Sequence, residues 1–346
     1  LIDGVVNGCP SHLLEPERTN LVTYSEDFSD SSWNKFPNVA ITPNTTISPI
    51  GFLDADTCTF TTFGTNTQLY KVVSTSGSTQ TISIFIKYLS GSGTNIRLSI
   101  SSASTKGVDL TFSNNGETLS AVKGASVNDF SIEKHKNNWF RVSISVAHSA
   151  SSTEFNLFKI SGSETDIYAI WGAQIESNQS YQTSYIPTTS SAVTRVAETA
   201  NGAGDASTFN DSEGVLMAEI NLDSIPTAIN TITLSDGTTS SQIDFRFYPT
   251  EWQIFIKDAS YIYSNYNSFN IGSFHKIAIY YNNGSTKVYL NGISLGNNTY
   301  TGSFNGLDRI NFSWSNLSAS FYGSAKQIQY FDSALNDSDL EKITSW

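Results

Sequence analysis

The chain has 346 residues, of which 14% are charged and 12% aromatic, and it carries a formal net charge of −12. That length exceeds a usual single core and predicts two domains, while the shortage of Lys, Glu and Arg argues for all-β structure with uncharged polar faces. No Lys/Arg cluster offsets the acidic balance, which disfavours nucleic acid and strongly anionic glycans as partners; no apolar run approaches the roughly 18 residues that insertion into a membrane as a helix needs.

Leu1 is not an initiator Met and opens no signal-peptide pattern, so the chain is expected to be a fragment of a longer one. Cys9 and Cys58 are the only cysteines. Isolated thiols of this kind are expected as small buried hydrophobes, with a single bridge as the alternative, and no Cys/His cluster suggests zinc. Residues 1–22 are too Pro-interrupted for a helix and are expected as a lead-in segment. From residue 23 the strand signals accumulate. Ile82, Ile84 and Ile86 share one face at period 2, as do Ile96, Leu98 and Ile100, and Val142, Ile144 and Val146. Gly/Ser/Asn clusters at 90–95, 113–116 and 148–152 supply turns. Short strands at this spacing predict a β-sandwich of jelly-roll type over 23–196.

Residues 197–212, rich in Ser, Thr, Ala, Asn and Gly, are expected as a linker. A second β pattern fills 213–346. Gly214–Ile220 starts it, the hairpin 243–256 follows, and Asn282-Asn283-Gly284 turns the strand from His275 into the one from Thr286. Further strands are expected at 309–314 and 325–331, then one short capped helix over 333–343. The fold class is therefore all-β, two β-sandwich domains in tandem.

Several motifs in the first part occur in a recognisable order: Cys9-Pro-Ser-His-Leu-Leu-Glu-Pro-Glu-Arg-Thr-Asn-Leu21, Ser25-Glu-Asp-Phe28 and Trp33, Asn138-Trp-Phe-Arg-Val142, Trp171-Gly-Ala-Gln-Ile-Glu176, Thr183-Ser-Tyr-Ile-Pro-Thr188 and Val193-Thr-Arg195. Over residues 1–196 this resembles the carbohydrate-binding-module-like domains of bacteriophage tail and fibre proteins; His12 departs from the pattern. From 213 the chain resembles the concanavalin A-like lectin/glucanase fold in its laminin-G-like form, carried by His275-Lys-Ile-Ala-Ile-Tyr-Tyr281, Val288-Tyr-Leu-Asn-Gly292 and Gly323-Ser-Ala-Lys-Gln-Ile-Gln-Tyr-Phe331. These resemblances imply a virion-surface, extracellular protein that binds cell-surface or environmental polysaccharide without catalysis. They also imply a homo-oligomer, a trimer by analogy with fibres, although no heptad enforces one. A structural decoration or spacer module is the alternative, and a polysaccharide depolymerase the second alternative.

Catalytic motifs are weak. Retaining glycosidases need two carboxylates about 5 Å apart. Glu219 and Asp223 are the nearest candidates, but Asn221 stands between them and both are expected as solvated residues. His12, His135, His148 and His275 are scattered and expected in turns or at the surface. For structural calcium, Glu26 and Asp27, or Asp205, Asp211 and Glu213, are the candidate ligands, without ordered spacing.

Sugar recognition needs an aromatic face plus polar groups that bond hydroxyls. Trp252 alternates with Ile254 and Ile256, and Trp314 with Ile310 and Phe312, so both are expected in the core. Trp139 and Trp171 are expected there too, as framework residues. The opposite face carries Asp244, Arg246, Gln253, Arg309, Asn311, Gln327 and Gln329. Tyr261, Tyr263 and Tyr266 are read as an adhesive loop. The candidate glycan-binding set is therefore Arg246, Gln253, Tyr261, Tyr263, Tyr266 and Asn311.

Overall fold

The structure is a computed structural model that describes residues 11–61, 67–92, 96–101, 104–162, 164–257, 261–267, 269–299 and 304–346; of the side chains of 261–265 and 267 nothing is said. The protein is all-β, and the chain divides into two compact units. Unit 1 contains Glu17–Val196, and unit 2 contains Ala197–Trp346 together with Gly8–Pro16.

Unit 1 is a sandwich of two antiparallel sheets. One has the order Thr118–Lys123, Gly107–Ser113, Ile96–Ile100, Ser152–Lys159, Gln68–Ser74, Asn34–Lys35, and the other Val127–Lys134, Phe140–Ala147, Thr79–Ser90, Asp166–Ser177, Leu53–Phe60, Val39–Ile47. Period-2 alternation turns Ile82, Ile84, Ile86, Val142, Ile144 and Val146 of the second sheet onto Ile96, Leu98, Ile100 and Phe155 of the first, which bury one another as a single core. Cys58 belongs to this core as a free thiol. Burial, then the nearby Asp56, pushes its pKa up and keeps it unreactive. Cys9 lies outside the described residues.

Of the segment expected as a lead-in, the described residues 11–22 are structured. His12–Leu14 pairs with Gly323–Phe331 in unit 2, and Arg18–Asn20 pairs with Val193–Arg195 in unit 1. Pro10 and Pro16 bracket that first short strand, which is why a search for a long periodic run misses it.

Unit 2 is again two antiparallel sheets. The first runs His12–Leu14, Gly323–Phe331, Glu213–Asn221, His275–Asn282, Ser285–Leu290, Ile293–Asn298; the second runs Asn201–Ala203, Arg309–Asn311, Asn230–Ser235, Gln242–Phe247, Glu251–Lys257, Tyr261–Asn267. Leu216, Ile220, Ile277 and Ile279 meet Ile232, Leu234, Ile243, Phe245, Trp252 and Ile254 in the core between them. The helix Asp337–Thr344 is capped by the Asn336 side chain, which accepts from Asp339 N at 3.0 Å. It places Leu340 on Val215, Met217, Ala278 and Tyr289, covering the outer face of the first sheet. Residues 197–212, expected as a linker, instead supply the edge strand Asn201–Ala203 and the buried Phe209. Their Ser/Gly-rich composition reflects a short strand with turns, not a flexible tether.

Candidate functional site

Each unit has one outer sheet face, opposite its core, where polar and aromatic side chains gather. In unit 1 that face holds Phe85, Trp139 and Trp171. Trp139 and Trp171 are buried as expected, but in this second cluster and not between the sheets. The register slips between Trp171 and Gln174, with Gly172 at φ +64. This bulge keeps Trp171 on the outer face while Ala173 and Ile175 return to the main core. Residues 183–188 then fold back over the tryptophan. Tyr185 sits 4.7 Å from the Trp171 ring, Gln174 Oε1 accepts from Ile186 N at 2.8 Å, and Glu176 accepts from Thr183 N at 3.0 Å and Thr183 Oγ1 at 2.6 Å. Asn20 completes the fixing by donating to Ala173 O at 3.0 Å and Ile186 O at 2.8 Å. The Gln, Glu, Thr, Tyr and Asn of the motifs are therefore fasteners of this cover. A cleft of about 420 Å³ opens nearby, lined by Arg18, Ser74, Ser76, Glu176 and Gln179 among others.

In unit 2 the second sheet presents its polar face as expected, and it is buried. Alternation puts Thr231, Thr233 and Ser235, then Gln242, Asp244 and Arg246, then Gln253 and Phe255 on this side. Asp244 is fully buried and Arg246 is 8% exposed. Arg246 donates to Asp244 Oδ2 from Nε at 2.9 Å and from Nη2 at 2.6 Å, and Gln242 Nε2 donates to the same oxygen at 3.1 Å. The guanidinium lies 3.5 Å from the Phe255 ring centroid and 5.2 Å from that of Trp314, two cation–π contacts that suit its weakly hydrated charge. Burial pushes the Asp244 carboxyl up to about 6; the Arg246 charge acts in the opposite direction and is the weaker influence. Thr233 and Trp314 stand close enough to lower it further, yet neither makes a hydrogen bond of regular geometry, and Asp244 Oδ1 has no partner among the described residues.

Trp314 is thus misplaced by strand parity. The strand Arg309–Asn311 ends three residues earlier, so alternation no longer applies and the chain turns over the polar face. Ser315 Oγ donates to Gln242 Oε1 at 3.1 Å, Ser313 Oγ to Asn201 Oδ1 at 3.0 Å, and Thr231 forms an isolated bridge with Ser320. Residues 313–320 therefore roof the Arg246 cluster, a role with no periodic signal in the sequence.

Of the candidate set, Arg246, Gln253 and Asn311 share this face. Gln253 donates to Glu251 at 2.7 Å, and Asn311 Oδ1 accepts from Gly202 N at 2.8 Å. The tyrosines form a strand, Tyr261–Asn267, not a loop. Tyr266 stacks on Trp252 at 4.5 Å and packs against the core. The register sets Tyr263 opposite Phe255 and Tyr261 opposite Lys257; the side chains of Tyr261 and Tyr263 lie outside the described residues. Arg309 is held by Asp308, and Gln327 and Gln329 belong to the other sheet, so these three leave the cluster. A second cleft in unit 2, about 330 Å³, lies among Ile225, Pro226, Tyr248, Pro249, Phe269 and Ile271.

The remaining candidates are engaged locally. Glu219 is buried, not solvated, and pairs with Lys326 at 3.2 Å while accepting from Gln327 at 2.8 Å. Asp223 is exposed and accepts from Asn221 at 2.7 Å. His275, expected near the surface, is buried against Phe269. Asp27 caps its own turn by accepting from Ser29 and Asp30, and Glu26 accepts from Tyr185. Asp205 accepts from Ser207, Asp211 from Gly306 and Leu307, and Glu213 from Asn282. Among the described residues no three His, Cys, Asp or Glu side chains gather into a metal cluster, and no helix is long and apolar enough to cross a membrane.

No family model matches this chain, and no curated protein matches it. Solved structures do. CBM40 of the Ruminococcus gnavus IT-sialidase, bound to α2,3-sialyllactose, is similar over 42% of this chain and 94% of its own, with 13% identity and a TM-score of 0.36. Domain 4 of AbnA, a GH43 extracellular arabinanase from Geobacillus stearothermophilus in complex with arabinotriose, is similar over 45% and 73%, with 13% identity and a TM-score of 0.36. The heptameric SAP-like pentraxin of Limulus polyphemus is similar over 42% and 74%, with 12% identity and a TM-score of 0.35. Function has to be read from this chain's own side chains.

Proposed function

We propose that the protein binds glycans without catalysis, through the outer face of the second sheet of unit 2, as part of a phage virion appendage such as a tail fibre. The observation that carries the binding reading is Arg246, set 3.5 Å from the Phe255 ring centroid and 5.2 Å from that of Trp314 and fixed by Asp244. Aromatic rings and oriented polar groups are thereby brought to one place, with little side-chain entropy left to lose on binding. The virion context is supported by the motif resemblance of residues 1–196. Weak affinity per site, multiplied by copies in an appendage, suits adhesion.

A glycan array combined with whole-cell adsorption tests this. Gln253→Ala keeps the Asp244–Arg246 pair and is expected to weaken sugar-dependent attachment about tenfold; attachment unaffected by competing sugar would end the reading.

One observation favours the structural alternative beside it. The hairpin joining Val39–Ile47 to Leu53–Phe60 exposes Ile47, Ile50, Phe52 and Leu53, each more than half accessible. A contiguous apolar patch of this kind marks an interaction surface, in keeping with a homo-oligomer. Sedimentation of the wild type against Phe52→Ser measures it, and a wild type that sediments as a monomer at every concentration removes the reading.

A further inference from the structure

We propose that the row Asn311, Thr233, Asp244 beneath Trp314 is a slot for one neutral hexose unit, uncovered when residues 313–320 swing away. This deepens the glycan-binding reading above and rests on it. The register sets Asn311 opposite Thr233 and Thr233 opposite Asp244, so three adjacent strands contribute one lateral line of polar side chains, with Cβ atoms about 5 Å apart. Thr231 lies one pleat away, opposite Arg246.

These side chains are at most 1% exposed. Yet among the described residues Asp244 Oδ1, Thr231 Oγ1, Thr233 Oγ1, Asn311 Nδ2 and Trp314 Nε1 have no regular hydrogen-bond partner. Asp244 Oδ1 has Thr233 and Trp314 beside it at loose geometry, whereas Thr231 Oγ1 and Asn311 Nδ2 have no partner at all among the described residues; buried polar groups are nearly always satisfied, so this poorly paired row is a signal. A face that needed only covering would be better served by apolar residues. With Trp314 carried off by the roof, four atoms remain: one N–H donor, one anionic acceptor and two hydroxyls that act either way. Adjacent sugar hydroxyls, which both donate and accept, complement that set. Arg246 is committed to Asp244, so the carboxylate of an acidic sugar would meet an anion instead of an available guanidinium.

The roof is a locally closed segment, so an opening would carry it as one piece. Phe321 N donates to Phe312 O at 2.8 Å and Trp314 N to Ser318 O at 2.7 Å, closing the segment on itself. Leu317 and Ala319 sit at φ +63 and +51, a region side-chain-bearing residues avoid, and Leu317 is exposed. The roof is held to the sheet by the Ser313–Asn201 and Ser315–Gln242 hydrogen bonds, the Thr231–Ser320 bridge and the Trp314–Arg246 contact, a small set for a local opening to break. Once displaced, Trp314 offers its face to the ring whose hydroxyls enter the row.

A reversible lock tests the slot. The Thr231–Ser320 bridge sets the two backbones near paired-strand spacing, about 4.8 Å and within disulfide reach. The double variant Thr231→Cys/Ser320→Cys, made in a Cys9→Ser background, is titrated oxidised and reduced with neutral gluco-, galacto- and manno-oligosaccharides. Oligogalacturonate and sialyllactose form the acidic arm. Because the variant has lost the Thr231 hydroxyl, its reduced form, weaker than the wild type, is the baseline; the expected result is at least a tenfold further loss of neutral-sugar affinity on oxidation, reversed on reduction, with the acidic sugars weaker throughout. Equal and measurable binding by both forms overturns the slot and leaves the glycan reading standing elsewhere on the surface. Preference for the acidic arm overturns the ligand class. A wild type that binds nothing on the panel or a wider array overturns both readings together. Hydrogen exchange of the ligand-free protein gives an independent readout: Trp314 and Phe321 amides exchanging as slowly as that of Phe245 would overturn the moving roof.

Discussion

The two units each cover an outer sheet face with their own chain, and they do so in opposite styles. In unit 1, residues 183–188 are fastened to the strand below by the side chains of Gln174, Glu176 and Asn20, and what they cover is aromatic. In unit 2, residues 313–320 are held by a few contacts, and what they cover is a buried Asp–Arg pair with unsatisfied neighbours. Both covers leave some buried groups unpaired, Trp171 Nε1 and Gln174 Nε2 in unit 1 as well as the row in unit 2, so the two differ in how firmly the covering segment is fastened. On this comparison the most recognisable motif of the chain is architecture, and the proposed site lies where no motif marks it.

The largest expected effect tests the unit 1 half. Trp171→Ala removes a ring packed against Phe85 and Tyr185 and is expected to cost about 3–5 kcal/mol. Calorimetry should show the unit 1 transition falling while glycan binding at a temperature below it persists. Loss of binding by folded Trp171→Ala protein would show that the unit 1 face is itself the site.

A smaller effect separates the faces by pH. The folded-state pKa of Asp244 is raised, to about 6, above its ordinary value of 3.8. The native state therefore holds a proton that the unfolded chain releases first. The stability contribution is fully present below pH 3.8 and is lost as pH rises through about 6, up to roughly 3 kcal/mol for a shift of this size. Asp244→Asn should flatten that slope in the unit 2 transition and leave the unit 1 transition as it was. A slope unchanged by the substitution would place the titration elsewhere and weaken the picture of an Asp244 poorly satisfied by its surroundings.

How much of this was legible depended on whether periodicity was involved. Alternation placed Trp252 in the core and put Arg246, Gln253 and Asn311 on one face, because a strand repeats every two residues whatever covers it. The same rule misplaced Trp314, since the strand stops at Asn311 and parity carries no information beyond its end. Tyr266 was read as adhesive from composition, although its register with Trp252 sets it facing inward. Composition also suggested a linker where Asn201–Ala203 completes a sheet, because a three-residue edge strand is too short to show alternation. Burial of the polar face had no local cause at all. It comes from residues 313–320, about 70 positions along the chain from Asp244 and Arg246, and only a long-range contact reveals it.

The smallest effect bears most directly on the contrast between covers. In the unit 1 bulge the left-handed position is Gly172, which adopts φ +64 at no steric cost. Unit 2 instead places Leu317 and Ala319 at such angles in its roof. Leu317→Gly relieves about 1–2 kcal/mol of strain in the closed form, and glycine's greater freedom when unfolded or open offsets part of it. The net gain should be about 1 kcal/mol or less, in favour of the roof staying shut. A ligand that needs the open form then binds more weakly in proportion to the population lost, by up to about fivefold. Calorimetric titration with a neutral oligosaccharide measures this directly. The expected pairing is a slightly higher melting temperature for unit 2 with lower affinity. A variant that melts higher and binds as well as the wild type would mean that Leu317 strains a fixed loop, and the roof of unit 2 would then be as permanent as the strap of unit 1.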